Sequence, residues 1–137
     1  MPTPRQVLAV LDDEPELRKA LRRLLTGRGY CVEEYAHGND LLAAVDSHLL
    51  DCLLLDLHMS EVNGFDVLAA FQSRHIRVPV IVITAHDEPG TAERVRALGA
   101  AAYLKKPVDR DALLSAIEAA ISPPSTSSRP PKLTTGS

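Results

Sequence analysis

The sequence predicts an α/β domain in which five parallel strands form one sheet with helices on both faces. Short apolar runs alternate five times with segments that have apolar residues at helical spacing, which is the pattern of repeated βα units. Several runs are apolar at every position, as expected of strands that helices cover on both sides. A chain of 137 residues is long enough for one such domain.

The first two βα units occupy residues 7–47. Val7–Leu11 contains only Val, Leu and Ala and predicts a buried strand. A helix follows, because Pro15 suits a first helical turn and the leucines after it form one helical stripe that stops at Gly27. Cys31–Tyr35 is the second predicted strand. Asn39–Ser47 is a short predicted helix with three apolar residues facing inward.

The other three units run from residue 49 to residue 121. Their strands are predicted at Leu49–Leu55, Val78–Ile83 and Ala101–Leu104. Gly64 opens the third helix, Thr91–Leu98 forms the fourth, and Asp109 is a suitable N-cap for the last. We therefore assign residues 1–121 to one domain. Residues 122–137, rich in Pro, Ser and Thr, cannot bury a core and are predicted to be a disordered tail or linker.

Composition argues against several classes of function. The net charge of −3 gives no basic footprint for nucleic acid, and aromatic residues, at 4%, are too few for a base-stacking platform. No apolar run approaches the ~20 residues that span a membrane. The N-terminus does not resemble a signal peptide. With only Cys31 and Cys52 present, no disulfide framework is predicted, and we expect a reduced, cytoplasmic protein.

The candidate site lies at the carboxyl ends of the strands, where open parallel sheets bind ligands. The polar residues predicted there are Asp12, Asp13, Asp56, Thr84, Lys105 and Lys106. Two carboxylates ~4 Å apart repel by roughly 4 kcal/mol at an effective dielectric near 20, so such a cluster holds a proton or binds a cation. Oxygen ligands without interleaved His or Cys suit Mg²⁺. Strand alternation lets only one of the two lysines reach the site, and the Lys-Pro order favours Lys106.

These motifs, in this order, resemble the receiver domains of two-component response regulators. The resemblance spans residues 6–121. The matching segments are Leu11-Asp12-Asp13-Glu14, Leu54-Leu55-Asp56-Leu57-His58-Met59 with Gly64 beyond it, Ile83-Thr84-Ala85, and Tyr103-Leu104-Lys105-Lys106-Pro107. The resemblance implies a flavodoxin-like (βα)5 fold with strand order 2-1-3-4-5.

The resemblance also implies a phosphoacceptor chemistry. Asp56 would accept a phosphoryl group from a sensor histidine kinase or a phosphotransfer protein in a Mg²⁺-dependent reaction. Asp12, Asp13, Asp56 and the backbone carbonyl of His58 would bind the metal ion. Lys106 would pair with the phosphoryl oxygens. The domain would be a signalling module rather than an enzyme, although it would assist its own phosphorylation and dephosphorylation.

A switch between two surfaces is implied as well. Thr84 would move to hydrogen-bond the phosphoryl group, and Tyr103 would rotate inward behind it. His58 and His86 would tune the rate of dephosphorylation. The fourth helix, fifth strand and fifth helix would then present a changed face to an output domain or effector, such as one that regulates transcription, or to a second copy of the chain.

Two other functions compete with this interpretation. A phosphatase of the dehalogenase-like type would need a second Asp two residues after the nucleophile, where this chain has His58. A flavodoxin-like cofactor binder would need a phosphate loop rich in Ser, Thr or Gly, where this chain has Asp12, Asp13 and Glu14. These two aspartates have a purely structural alternative as caps of the first helix. Asp51, about 17 Å from Asp56 at ~3.3 Å per residue, is assigned to solvent or a turn.

Overall fold

The computed structural model describes residues 6–45, 50–59 and 62–121. Its five strands form one parallel sheet in the order β2-β1-β3-β4-β5, which confirms the predicted topology. The strands are β1 (Val7–Leu11), β2 (Cys31–Tyr35), β3 (Cys52–Asp56), β4 (Val80–Thr84) and β5 (Ala102–Lys105). The helices are α1 (Pro15–Thr26), α2 (Gly38–Ala44), α3 (Gly64–Ser73), α4 (Thr91–Ala97) and α5 (Arg110–Ile121).

The sheet separates two apolar cores, one on each face. Alternate residues of the central strands point to opposite sides, so Leu53 and Leu55 pack in one core while Leu54 packs in the other. Buried residues of α2, α3 and α4 complete the first core. Residues of α1 and α5, such as Leu25 and Leu113, complete the second. Strands β1, β3 and β4 therefore need apolar residues at nearly every position, as the sequence has.

The predicted start of the third strand at Leu49 is wrong, because β3 begins at Cys52. Asp51 lies in a bend before it, where its Oδ2 accepts a hydrogen bond from the Val7 amide at 2.7 Å. The Asp51 amide in turn donates to the Val7 carbonyl at 2.8 Å. Asp51 therefore anchors the start of β1, which is a structural role that the assignment to solvent or a turn did not include.

Other predicted boundaries shift by one to three residues. β4 begins at Val80 rather than residue 78, with Pro79 just before it, and β5 runs one residue later than predicted, at Ala102–Lys105. α2 covers Gly38–Ala44 instead of residues 39–47, and α4 ends at Ala97 instead of residue 98. Positions 46–49 lie outside the described residues, as do 1–5, 60–61 and the predicted tail 122–137.

Two smaller predictions concern a helix cap and the cysteines. Asp109 does cap the last helix, since its Oδ2 accepts a hydrogen bond from the Ala112 amide at 2.8 Å. Cys31 and Cys52 are both free thiols. None of the helices in the described part of the chain is long and apolar enough to cross a membrane.

Candidate functional site

Three buried polar side chains mark one edge of the sheet. Within the described residues, Asp12, Asp56 and Thr84 are the only polar or charged side chains classed as buried, with exposures of 3%, 4% and 0%. Asp12 follows β1, Asp56 is the last residue of β3 and Thr84 the last of β4. Because buried polar groups need compensating partners, their shared position at the carboxyl ends of the strands identifies this edge as a site.

The carboxylates at this edge lie close enough to share a cation. Asp12, Asp13 and Asp56 each offer an oxygen, and these oxygens lie within 4.8 Å of one another. Burial, followed by the charge of Asp12, raises the pKa of Asp56 to about 6. Burial also raises the pKa of Asp12. Both shifts mean that negative charge is unfavourable here, which fits a site built for a divalent ion with oxygen ligands.

Lys106 is the cation that reaches these buried acids. Its Nζ lies 3.2 Å from Asp12 Oδ2 and 3.7 Å from Asp56 Oδ1. Burial alone would lower the pKa of Lys106, but the hydrogen bond to Glu14 and the charges of Asp12 and Asp56 outweigh it, so the pKa is raised. Lys105 instead lies 3.6 Å from Asp87. Of the two lysines, Lys106 is therefore the one whose ammonium group lies beside the buried carboxylates.

Glu14 has a contact that the sequence did not assign. Its Oε1 accepts a hydrogen bond from Lys106 Nζ at 2.7 Å, which is the shortest of the three carboxylate contacts of that ammonium group. This hydrogen bond, with the lysine charge, lowers the pKa of Glu14. The position of Glu14 directly after Asp13 indicated that it lies at the same edge of the sheet. The sequence does not show that its side chain turns toward Lys106.

The turn after β1 is fixed by Asp12 rather than by a helix cap. Asp12 Oδ1 accepts a hydrogen bond from the Glu14 amide at 2.8 Å, and its carbonyl accepts one from Arg18 at 2.7 Å. Glu14 occupies the N-cap position of α1, and no side-chain hydrogen bond caps this helix. The structural alternative is therefore wrong as far as a helix cap is concerned, although Asp12 does form the local turn contact expected of an aspartate before Pro15.

Gly64 holds the segment after Asp56 in place. A Cβ atom on Gly64 would lie 2.7 Å from Leu57 Cα and 2.9 Å from the Asp56 carbonyl oxygen, which is closer than side chains tolerate. Asn63 caps α3 in a reciprocal capping box with Asp66, so the helix start is fixed on the other side. The glycine allows the helix and the acceptor strand to approach this closely.

The comparison with known families agrees with this geometry. The family model described as the response regulator receiver domain matches residues 8–118. The chain belongs to the response regulator receiver domain family. It is therefore a signalling domain of the two-component type.

Curated relatives of this receiver domain are transcriptional regulators. It is 37% identical over 118 residues to the DNA-binding transcriptional regulator NtrC of Salmonella typhimurium, covering 86% of this chain and 25% of that protein. It is 37% identical over 117 residues to the transcriptional regulatory protein KdpE of Mycobacterium tuberculosis, covering 84% of this chain and 50% of that protein. The chain thus spans a quarter to a half of the length of these relatives.

Solved receiver structures have the same fold. The crystal structure of FixJ-N superimposes with a TM-score of 0.81 at 28% identity, over 88% of this chain and 97% of that one. The response regulator StyR superimposes with a TM-score of 0.76 at 30% identity, over 86% of this chain and 60% of that one. These likenesses confirm the flavodoxin-like fold class predicted from the sequence.

In the described part of the chain, the side-chain hydrogen bonds of the predicted switch residues, Thr84 and Tyr103, go to residues after β4 and not to Asp56. Thr84 Oγ1 accepts a hydrogen bond from the His86 amide at 3.0 Å and donates to the His86 carbonyl at 3.3 Å. The Tyr103 hydroxyl donates to Asp87 Oδ1 at 2.8 Å. Burial, followed by this hydrogen bond, raises the pKa of Tyr103 to about 12.

The two predicted rate-tuning histidines lie next to each other. The ring centroids of His58 and His86 are 4.8 Å apart, and the rings meet edge to face. The His58 amide donates to Asp56 Oδ1 at 3.3 Å, so this histidine is tied to the central carboxylate through its backbone. The structure therefore brings Asp12, Asp13, Asp56 and Lys106 into one cluster, whereas the Tyr103 hydroxyl contacts Asp87 on its exposed side.

Proposed function

We propose that Asp56 accepts a phosphoryl group and that this receiver domain uses the resulting change as a signal. The observation that carries the proposal is the placement of two buried carboxylates, those of Asp12 and Asp56, within 4 Å of one lysine ammonium group. In the reaction, an Asp56 oxygen forms a bond to phosphorus while the bond between phosphorus and the donor's histidine nitrogen breaks. The donor nitrogen leaves with its electron pair, and an acyl phosphate remains on Asp56.

Mg²⁺ is the metal ion that suits this site. Asp12, Asp13, Asp56 and the backbone carbonyl of His58 would hold it, with waters completing the coordination as this ion prefers. When bound, Mg²⁺ neutralises part of the charge on the phosphoryl oxygens. The set of donor atoms supports the proposal, since every side-chain ligand is a carboxylate and the pKa of Asp56 is raised by burial and by the charge of Asp12.

Lys106 and Thr84 have complementary roles in the proposal. The Lys106 ammonium group leaves Glu14 and pairs with the phosphoryl oxygens, offsetting charge that develops during transfer. The Thr84 hydroxyl exchanges its local contacts with His86 for the phosphoryl group. Tyr103 follows by leaving Asp87 and rotating inward, while His58 and His86 set how readily water reaches the acyl phosphate.

The proposed partners follow from these roles. A sensor histidine kinase or a phosphotransfer protein supplies the phosphoryl group. The face formed by α4, β5 and α5 is the readout surface for an output domain or effector, or for a second copy of the chain. Because NtrC and KdpE are named as transcriptional regulators, we place the full-length protein in transcriptional control. The two free thiols support a cytoplasmic location.

The test is intact-mass measurement after incubation with a small acyl phosphate donor and Mg²⁺. We expect the mass of one added phosphoryl group on the wild type and none on Asp56→Asn. Asp51→Asn is the matched control, because Asp51 precedes the other end of β3 and contacts the Val7 amide instead of the acid cluster. Equal modification of Asp56→Asn and wild type would overturn the proposal.

Removal of the supporting charges is a second test. Asp13→Ala and Lys106→Ala are each expected to slow phosphorylation by about 10²-fold or more, the scale of losing one preorganised charge partner. The comparison uses Lys105→Ala as control, since that ammonium group pairs with Asp87. Repeated turnover of a phosphomonoester by the wild type would instead favour a dehalogenase-like phosphatase.

A further inference from the structure

Two histidine side chains meet at the mouth of the acid cluster. His58 follows β3 by two residues and His86 follows β4 by two, and these strands are neighbours in the sheet. Both side chains are exposed, and their ring centroids are 4.8 Å apart with an interplanar angle of 86°. The adjacent imidazoles therefore face solvent together rather than packing in a core.

The backbones of both histidines are fixed, while their ring nitrogens are not engaged. The His86 amide and carbonyl both contact Thr84 Oγ1, and the His58 amide contacts Asp56 Oδ1. Within residues 6–45, 50–59 and 62–121, no hydrogen bond or ion pair involves an imidazole nitrogen of His58 or His86. Four ring nitrogens are thus available on two anchored side chains.

The separation of the rings suits a shared metal ion. Two imidazoles that bind one tetrahedral ion through nitrogens at about 2.1 Å have ring centres about 5 Å apart. The observed 4.8 Å lies close to this value. A tetrahedral ion also allows the two rings to be perpendicular, because each imidazole rotates about its own bond to the metal.

We propose that the imidazoles of His58 and His86 form a binding site for a divalent transition metal ion of the zinc and copper class, next to the carboxylate site but with different ligand atoms. Imidazole ligands favour these ions, whereas carboxylate oxygens favour Mg²⁺. The one cluster of three or more potential ligands in the described chain contains Asp12, Asp13 and Asp56 and no histidine. The histidine site has two protein ligands, and waters occupy its remaining positions.

The alternative is that the rings are in contact only because edge-to-face packing of aromatic rings is favourable. In that case, replacing either histidine leaves the affinity for metal unchanged, because the ions bind the carboxylates or scattered surface histidines. His75 provides a matched control for the latter. It is exposed and has a φ of 55°, a left-handed conformation that asparagine tolerates, so His75→Asn preserves the fold.

The test is calorimetric titration of Zn²⁺ into the full chain in excess Mg²⁺, which occupies the carboxylate site. We expect one Zn²⁺ site in the wild type. His58→Asn and His86→Asn are each expected to weaken it by about tenfold or more, since loss of even an outer partner of a metal ligand costs about 10–100-fold. His75→Asn and Asp13→Asn are expected to retain the wild-type affinity.

A second readout identifies the ligands directly. Zinc binding is expected to shift the imidazole nitrogen resonances of His58 and His86 together, at one equivalent, and to leave those of His75 in place. Wild-type affinity in His58→Asn, or a loss of zinc binding in Asp13→Asn, would overturn the proposal. No phosphoryl donor is present in either experiment, so the outcome is independent of whether Asp56 is phosphorylated.

Discussion

Replacing Asp56 by asparagine is expected to stabilise the metal-free domain at neutral pH. Burial and the neighbouring Asp12 carboxylate raise the pKa of Asp56 from 3.8 to about 6 in the folded state. Between these two values the folded state holds a proton that the unfolded chain has lost. The free energy of unfolding of the wild type therefore falls as the pH rises through this range. Asparagine has no charge to bury, so the variant does not show this loss.

The size of the effect follows from the two pKa values. Each pKa unit between the folded and unfolded carboxyl group corresponds to about 1.4 kcal/mol, so the full difference above pH 7 is about 3 kcal/mol. At pH 4, where most of the group is protonated in the folded state, the same two values leave about 0.5 kcal/mol. Because Asp56 is only 4% exposed, solvent reduces this difference in unfolding free energy only slightly.

Urea unfolding at pH 4 and pH 7.5, in the presence of a chelator, measures this difference. Asp56→Asn is expected to gain about 3 kcal/mol over the wild type at pH 7.5 and far less at pH 4. The control Asp51→Asn weakens the carboxylate contact with the Val7 amide and is expected to give no such gain. An Asp56→Asn variant that is less stable than wild type at pH 7.5, or equally changed at both pH values, would refute the reasoning.

Three further outcomes are expected. Glu14→Gln removes the carboxylate charge that lies 2.7 Å from Lys106 Nζ, so it is expected to raise the rate of phosphorylation several-fold, as measured by timed intact mass. An unchanged rate would contradict a competing role for Glu14. Gly64→Ala forces a Cβ to within 2.7 Å of Leu57 Cα and is expected to destabilise the domain by about 1–3 kcal/mol, as measured by urea unfolding. The control Gly27→Ala, with a nearest contact of 3.3 Å and a helical φ of −63°, is expected to cost less than Gly64→Ala, and an equal cost would contradict this account of Gly64. Cys52 is fully buried, and burial raises the pKa of its thiol to about 12. In the native protein Cys52 is therefore expected to react with thiol reagents far more slowly than Cys31, and equal rates would contradict the packing of β3.

The fold was largely predictable because its signals are local. Strands such as Val7–Leu11 and Val80–Thr84 are apolar at nearly every position because they have a core on each side, and this pattern is visible in the sequence. The strand boundaries were less predictable, since a strand begins where a partner is available. Asp51 is an example, because it lies in the bend before β3 and contacts the Val7 amide, which is 44 positions away in the sequence.

The site was predictable as a set of residues but not as a set of contacts. Parallel strands deliver their carboxyl ends to one edge, so Asp12, Asp56 and Lys106 had to lie near one another. The direction of a long, flexible side chain depends on the tertiary structure around it. The hydrogen bond between Glu14 and Lys106, 92 residues apart, and the ring contact between His58 and His86 were therefore outside the reach of sequence reasoning.

The most direct test of the account is to locate the phosphoryl group itself. The domain is incubated with an acyl phosphate donor and Mg²⁺, the acyl phosphate is reduced with borohydride, and the modified residue is identified by peptide mass mapping. We expect homoserine in place of aspartate at position 56, and none when Mg²⁺ is removed. Homoserine at Asp12, Asp13 or Asp51 instead, or modification at Asp56 that is equally fast without Mg²⁺, would contradict the account.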